Sequence, residues 1–165
     1  SWGDSLTLHA LRILPELEAL PGLDLIRTFG EDLSSAERLE NRRKALCCDL
    51  FLAGTNAVTA KGQLVNLDMV GNRVGGIVFG PRKVVLFVGT NKIVGGLEEA
   101  MERIRTVAAP LNAKRHEGFD TPCVHQGKCV DCQSPYRICN TWVITEKSYP
   151  RERIEIVLID EALGL

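Results

Sequence analysis

Lys83-Val84-Val85-Leu86-Phe87-Val88-Gly89 is an apolar run with a charged start and a glycine end. It is far shorter than the roughly 20 residues of a membrane-spanning helix. A run that is apolar on both faces is the pattern of a strand buried in a parallel sheet. Downstream, Gly96–Val107 places Leu97, Ala100, Met101, Ile104 and Val107 on one stripe. Glu98, Glu99, Glu102, Arg103 and Arg105 fall opposite, which predicts an amphipathic helix. Upstream, Asp49-Leu50-Phe51-Leu52-Ala53, stopped by Gly54, is a second buried strand. Strands alternating with helices predict an α/β fold, a mixed, mostly parallel sheet between helices.

The remaining elements follow from local signals. Leu6–Leu20 repeats leucine every three residues and predicts a helix capped by Asp4 or Ser5, with a break at Pro15. Leu23–Phe29 is a short strand candidate. Ser34 and Glu37 have capping-box spacing and start a helix to about Cys47, with Leu39 and Leu46 inside and Arg42, Arg43 and Lys44 outside. Ala57-Val58-Thr59 and Leu64–Leu67 flank the turn Ala60-Lys61-Gly62-Gln63 and predict a hairpin. Asn72–Phe79 is a short helix closed by Gly80-Pro81. Trp142–Glu146 and Arg153–Asp160 lie close enough in sequence to predict a final hairpin. With neither internal repeat nor linker, residues 1–165 are expected to form one domain.

Composition excludes several classes. The 165 residues are 45% hydrophobic and 25% charged, the balance of a globular chain. The net charge of −1 argues against nucleic acid, whose binders are carried by basic surface. Aromatics at 5% argue against base-stacking platforms. No apolar stretch predicts a membrane span. The chain starts without Met and without a secretory leader, so a reducing cytoplasm and a missing native N-terminal segment are expected. A sheet lacking its first elements would expose an edge that favours pairing with a second copy.

Cysteine is the outlier. Cys47 and Cys48 sit between a helix and a buried strand, where cysteine serves as a small buried hydrophobe. Cys123, Cys129, Cys132 and Cys139 crowd into the aperiodic stretch Asp120–Asn140, spaced C-x5-C-x2-C-x6-C. The C-x2-C step lets two thiolates converge on one ion or cluster. Gly127, Ser134 and Pro135 provide turns, and Lys128 and Arg137 offset thiolate charge. Two cofactors compete. Four-cysteine zinc sites usually come as two close pairs, and only one pair is present, which favours a [4Fe–4S] cluster over zinc. A disulfide or zinc staple without chemistry is the plain alternative. His125 is a spare ligand or a solvated loop residue.

Polar turns follow the predicted strands: Gly54-Thr55-Asn56-Ala57, Gly89-Thr90-Asn91-Lys92 and, at the start, Ser1-Trp2-Gly3-Asp4-Ser5. Ligands of open α/β sheets bind beyond the carboxyl ends of the strands. Gly3, Asp4, Ser5, Thr55, Asn56, Asn91 and Lys92, completed by Asn66, Asp68, Asn72 and Arg73, therefore form a candidate pocket for a small anionic metabolite. The same residue types are also ordinary turn formers. Gly75-Gly76 and Gly95-Gly96 match no dinucleotide or P-loop fingerprint, and no hydrolase triad is visible.

Arg43-Lys44-Ala45-Leu46, Gly54-Thr55-Asn56-Ala57, Leu64-Val65-Asn66-Leu67-Asp68, Gly71-Asn72-Arg73, Asn91-Lys92, Arg103-Ile104-Arg105, the stretch Ala109–Arg115, and Thr121-Pro122-Cys123 through Cys139-Asn140 together carry a resemblance. Over nearly its whole length the chain resembles the LUD (lactate-utilisation) domain family, in its small bacterial branch with a four-cysteine loop. Ser1-Trp2-Gly3-Asp4-Ser5 departs from the corresponding turn by carrying Asp4 in place of glycine. The resemblance implies a fold like the ribose-5-phosphate isomerase, glucosamine-6-phosphate isomerase and CoA-transferase superfamily. It also implies a link to lactate oxidation by iron–sulfur and flavin complexes. The expected role is a redox accessory protein or enzyme subunit, with oxidoreductase subunits as partners and a hydroxy acid, keto acid or phosphorylated metabolite as ligand. An isomerase- or transferase-like enzyme with a zinc staple and a non-catalytic interaction subunit are the alternatives.

Overall fold

The computed structural model describes residues 1–116 and 118–165. Along the chain run α1 (Leu6–Ala10), α2 (Ile13–Ala19), α3 (Ser35–Ala45), β1 (Leu50–Ala53), β2 (Ala57–Thr59), β3 (Leu64–Asp68), α4 (Asn72–Val78) and β4 (Lys83–Gly89). A 3-10 turn at Thr90–Lys92 leads to β5 (Ile93–Val94) and α5 (Leu97–Arg103). A π-helical turn, Ile104–Ala108, then joins α5 to α6 (Ala109–Lys114), followed by α7 (Pro122–Gln126), β6 (Thr141–Thr145) and β7 (Ile154–Ile159). The fold is α/β with mixed, mostly parallel sheets flanked by helices. No helix among the described residues is long and apolar enough to cross a membrane.

The chain divides into two compact units. The first comprises Ser1–Gly54, Asn72–Asn91 and Ser148–Gly164. Its sheet is β1-β4-β7, all parallel, and Trp2 adds a parallel bridge to Leu52. The strand predicted at Lys83–Gly89, β4, lies in the middle of this sheet, with Val84, Leu86 and Val88 fully buried. Trp2, Leu8, Leu14 and Leu52 form a core against which Val85 and Phe87 pack. Arg153 is buried and donates to the carbonyls of Pro81, Ile77 and Gly76. It thereby satisfies the C-terminal end of α4, which otherwise has orphan carbonyls. Gly89 is required where it stands, since a Cβ there would lie 2.6 Å from the Leu163 amide nitrogen.

The second unit comprises Thr55–Gly71 and Lys92–Lys147, with Leu165. Its sheet runs β5-β2-β3-β6; β2, β3 and β6 are antiparallel neighbours, and β5 pairs parallel to β2. Ala57, Val65, Ala100 and Ile104 form its core.

Several expectations are corrected. The final strands do not form a hairpin: β6 pairs with β3, and β7 pairs with β4. The run Ile154–Ile159, apolar at most positions on both faces, suits a parallel neighbour of β4 better than it suits β6. Leu23–Phe29 is irregular because side chains, not a ladder, bind its backbone. Ser1 Oγ donates to the Ile26 carbonyl and Asn41 Nδ2 to that of Arg27. The first helix breaks at Arg12, in the left-handed region, and Pro15 lies in the first turn of α2, where its missing N–H costs nothing. Ser5 is the cap of α1, and the Ser34–Glu37 capping box forms as expected. Leu39 is 41% exposed, however, while Arg42 is half-buried over the Phe29 ring. Cys47 is exposed and Cys48 half-buried, because α3 ends at Ala45 and both fall in the turn beyond it. In the predicted amphipathic helix, the π turn inserts one residue. Ala108 takes the buried place after Ala100 and Ile104, and Val107 is turned outward at 39% exposure.

Candidate functional site

The second unit holds the cysteine stretch, and its local structure explains how the loop is tethered. Thr121 is buried and precedes the first residue of α7, without a side-chain capping bond. Cys123 lies in the first turn of that helix, its sulfur 3.2 Å from the Thr121 hydroxyl. Gly127, at φ 68°, ends α7 in the left-handed conformation that glycine takes without penalty. The predicted aperiodic loop therefore begins with a helical turn, and His125 on it faces Asp120.

Beyond Gly127 the backbone is irregular. The Cys129 amide donates to the Arg105 carbonyl at 3.2 Å. Arg105 lies in the π turn, and wider i→i+5 turns of that kind recur at functional sites. The Arg105 guanidinium also sits 5.7 Å from the centre of the Trp142 ring. The Asp131 amide points at Cys129 Sγ at 3.4 Å, with Asp131 in the left-handed region.

Arg137 is the organising side chain. One guanidinium nitrogen donates to the Cys132 carbonyl at 2.7 Å and the other to the Cys139 carbonyl at 3.0 Å. The planar fork suits two acceptors at once. Burial pushes the Cys139 thiol above its ordinary value, opposed by a hydrogen bond from Arg137 and reinforced by the charges of Cys129 and Cys132. Burial therefore outweighs the arginine. Arg137 in turn holds its proton more tightly, chiefly through Cys139. Ile138, between Arg137 and Cys139 in sequence, is buried. Among the described residues, no three of His, Cys, Asp or Glu converge closely enough to hold a metal ion.

The loop's far end joins the polar hairpin. Asn140 donates from its amide to the Asp68 carbonyl at 3.0 Å and from Nδ2 to that of Met69. Asp68 is buried and accepts from the Gly71 amide at 2.7 Å. Thr55, Asn56 and Asn66 bond to one another: Thr55 Oγ1 and the Asn56 amide both donate to Asn66 Oδ1, and Asn56 Oδ1 accepts from the Leu67 amide. This network builds the turn. Arg103, expected on the outer stripe, instead donates to the Asn56 carbonyl at 2.7 Å, and burial lowers its proton affinity. Lys92 is buried in the same unit.

The other candidate residues belong to the first unit. The Gly3 amide donates to the Leu52 carbonyl, Asp4 faces His9 at 3.7 Å, and Ser5 caps α1. Asn72 opens α4, and Arg73 donates to the Gly54 carbonyl at 3.1 Å. Asn91 ties down the C-terminal segment through the Leu163 amide and the Gly164 carbonyl. Sequence reasoning missed Arg103 and Arg153. Both interrupt otherwise readable patterns, and neither pattern reveals which carbonyl an arginine will reach.

The profile of the LUD domain matches residues 1–159. No curated protein matches the chain. Among solved structures, a DUF162 family protein from Deinococcus radiodurans is similar at 14% identity and a TM-score of 0.40, over 95% of this chain and 84% of that one.

Proposed function

Because the chain belongs to the LUD domain family, we propose that it is a redox accessory protein or enzyme subunit of the lactate-utilisation kind, with Cys123, Cys129, Cys132 and Cys139 as its cluster-binding residues. The observation that carries this reading is the Arg137 fork across the Cys132 and Cys139 carbonyls. It shapes an otherwise irregular loop and sets a fixed cation beside several thiols. The donor chemistry fits: soft sulfur ligands, a C-x2-C step, and a backbone N–H aimed at a cysteine sulfur. The cysteines are not converged, so loading requires the loop to close around the group, which is the usual coupling of metal binding to local ordering.

A bound [4Fe–4S] cluster would supply one-electron transfer to or from an oxidoreductase partner. The chain's own residues tune it. Arg137 stabilises thiolate charge, the Asp131 amide withdraws density from Cys129, and half-burial of Cys139 limits water. A hydroxy or keto acid, or a phosphorylated metabolite, is the proposed ligand of the polar residues Thr55, Asn56, Asn66 and Asp68 of the second unit, in which Lys92 is a buried cation.

A second reading is zinc, favoured by Cys129-x-x-Cys132 with its N–H to sulfur bond. Protein purified without oxygen separates the two. About four iron and four sulfide per chain with visible absorption supports the cluster. Stoichiometric zinc without colour makes the loop structural. Neither metal, in a wild-type chain offered both, refutes the metal reading. Cys132→Ser should abolish uptake in either positive case.

A further inference from the structure

We propose that β7 is a self-association edge: two copies of this chain pair their β7 strands antiparallel, with Ile156 of each copy opposite Leu158 of the other. β7 is the outer strand of the β1-β4-β7 sheet, and among the described residues no strand lies on its other side. Its register with β4 shows which backbone groups are committed. The Val84 amide donates to the Arg153 carbonyl at 2.8 Å and the Thr90 amide to the Glu161 carbonyl at 2.9 Å. In a ladder, alternate residues bond to one neighbour, so Arg153, Glu155, Val157 and Ile159 face β4. Ile156 and Leu158 therefore turn their N–H and C=O groups to the open edge. Ile154 turns the same way, and its amide donates to Ser148 Oγ at 3.3 Å rather than to β4.

The side chains add an apolar strip to that edge. Ile156 lies beside Leu86, and Leu158 beside Val88. Leu86 and Val88 are fully buried, whereas Ile156 is 36% and Leu158 61% exposed, so the apolar face runs on past its cover. Edges that stay single are blunted by charge, proline or a bulge. Ile156–Ile159 carries neither charge nor proline, and Glu155 is paired with Lys83 of β4 at 2.9 Å. The occupant is a second copy because this edge complements itself. A two-fold axis at Val157 sets Ile156 against Leu158 in both directions, with the outward N–H and C=O groups in register. Charge selects the direction. Arg151 precedes the strand and Asp160 and Glu161 follow it, all exposed, with Glu152 in the preceding turn at φ 67°. Antiparallel pairing brings Arg151 of one copy toward Glu161 of the other. Parallel pairing in register would set Glu155 on Glu155 and acid on acid at the far end.

The test measures the mass of the full chain by sedimentation across a dilution series. Wild type should be a dimer that dissociates on dilution. Leu158→Pro removes an outward N–H that β4 does not use, and it should give a monomer with unchanged far-ultraviolet circular dichroism. Leu158→Lys places a charge on the same edge and should also give a folded monomer; it decides the matter if the proline variant fails to fold. A wild-type chain that is monomeric at every concentration overturns the proposal. So does a dimer that survives either folded variant, since its interface then lies elsewhere, and so does an open-ended series of oligomers, since a two-fold pair closes. The cysteine loop belongs to the other unit, so failure here leaves the metal reading intact.

Discussion

Cys129 and Arg105 are joined by a single backbone hydrogen bond of 3.2 Å, from the amide of a cysteine loop to the carbonyl of a π-helical turn. This bond and the Arg137 fork tie the loop at both sides of the C-x2-C step. Groups that orient ligands in this way usually change metal affinity by about 10–100-fold when removed. Arg137→Ala is therefore expected to weaken metal binding by a factor in that range, read by competition with a chelator. Arg137→Lys should recover only part of the loss, because an ammonium cannot fork across two carbonyls. Full affinity in Arg137→Ala would show that the fork does not shape the site.

The π turn makes its own prediction about the core. Ile104 is fully buried, so Ile104→Ala should cost about 2–5 kcal/mol in denaturant unfolding. Val107, on the same stripe of a regular helix, is 39% exposed here, and Val107→Ala should change stability by less than about 0.5 kcal/mol. Equal costs at the two positions would indicate a regular helix instead.

Buried Arg153 donates three hydrogen bonds to carbonyls at and after the end of α4. Arg153→Met keeps the aliphatic bulk and removes the donors. The expected loss is about 1.5–3 kcal/mol, in line with hydrogen bonds to charged groups. A melting temperature equal to wild type would mean that water replaces the guanidinium.

The cap of α3 gives a pH signature. The Ser34 hydroxyl and amide both donate to Glu37 and hold its carboxyl below the ordinary value of 4.5. A group with a depressed folded value stabilises above its unfolded value, and that stability is lost as pH falls through the folded one. The melting difference between wild type and Glu37→Gln should thus be present at neutral pH and shrink progressively on acidification below about 4.5. Ser34→Ala should cost about 1 kcal/mol at neutral pH.

The buried strands and the hairpin were legible because their signals are local: unbroken apolar runs at Phe51–Ala53 and Val84–Val88, and a turn between Val58 and Leu64. The partners of β6 and β7 were not, since sequence proximity says nothing about which ladder buries more apolar surface. The cysteine stretch announced a site by spacing alone. Its tethers did not show, because Arg105 contributes a carbonyl and Asp131 an N–H, and backbone groups carry no sequence signature. The inserted residue of the π turn was equally invisible, and it moved Val107 out of a stripe that otherwise held.

The pairing of β4 with β7 has a consequence for how the chain comes off the ribosome. Val84 meets Ile154, so β4 waits for a partner that emerges roughly seventy residues later, many seconds away at ordinary rates of synthesis. During that interval one side of an apolar strand has only β1 beside it, and the other is an open template for any neighbouring nascent chain. Everything made in the meantime, from β5 through the cysteine loop to β6, belongs to the other unit. Overexpression is therefore expected to yield inclusion bodies when synthesis outpaces chaperone binding, and slower translation at low temperature should raise the recovered fraction.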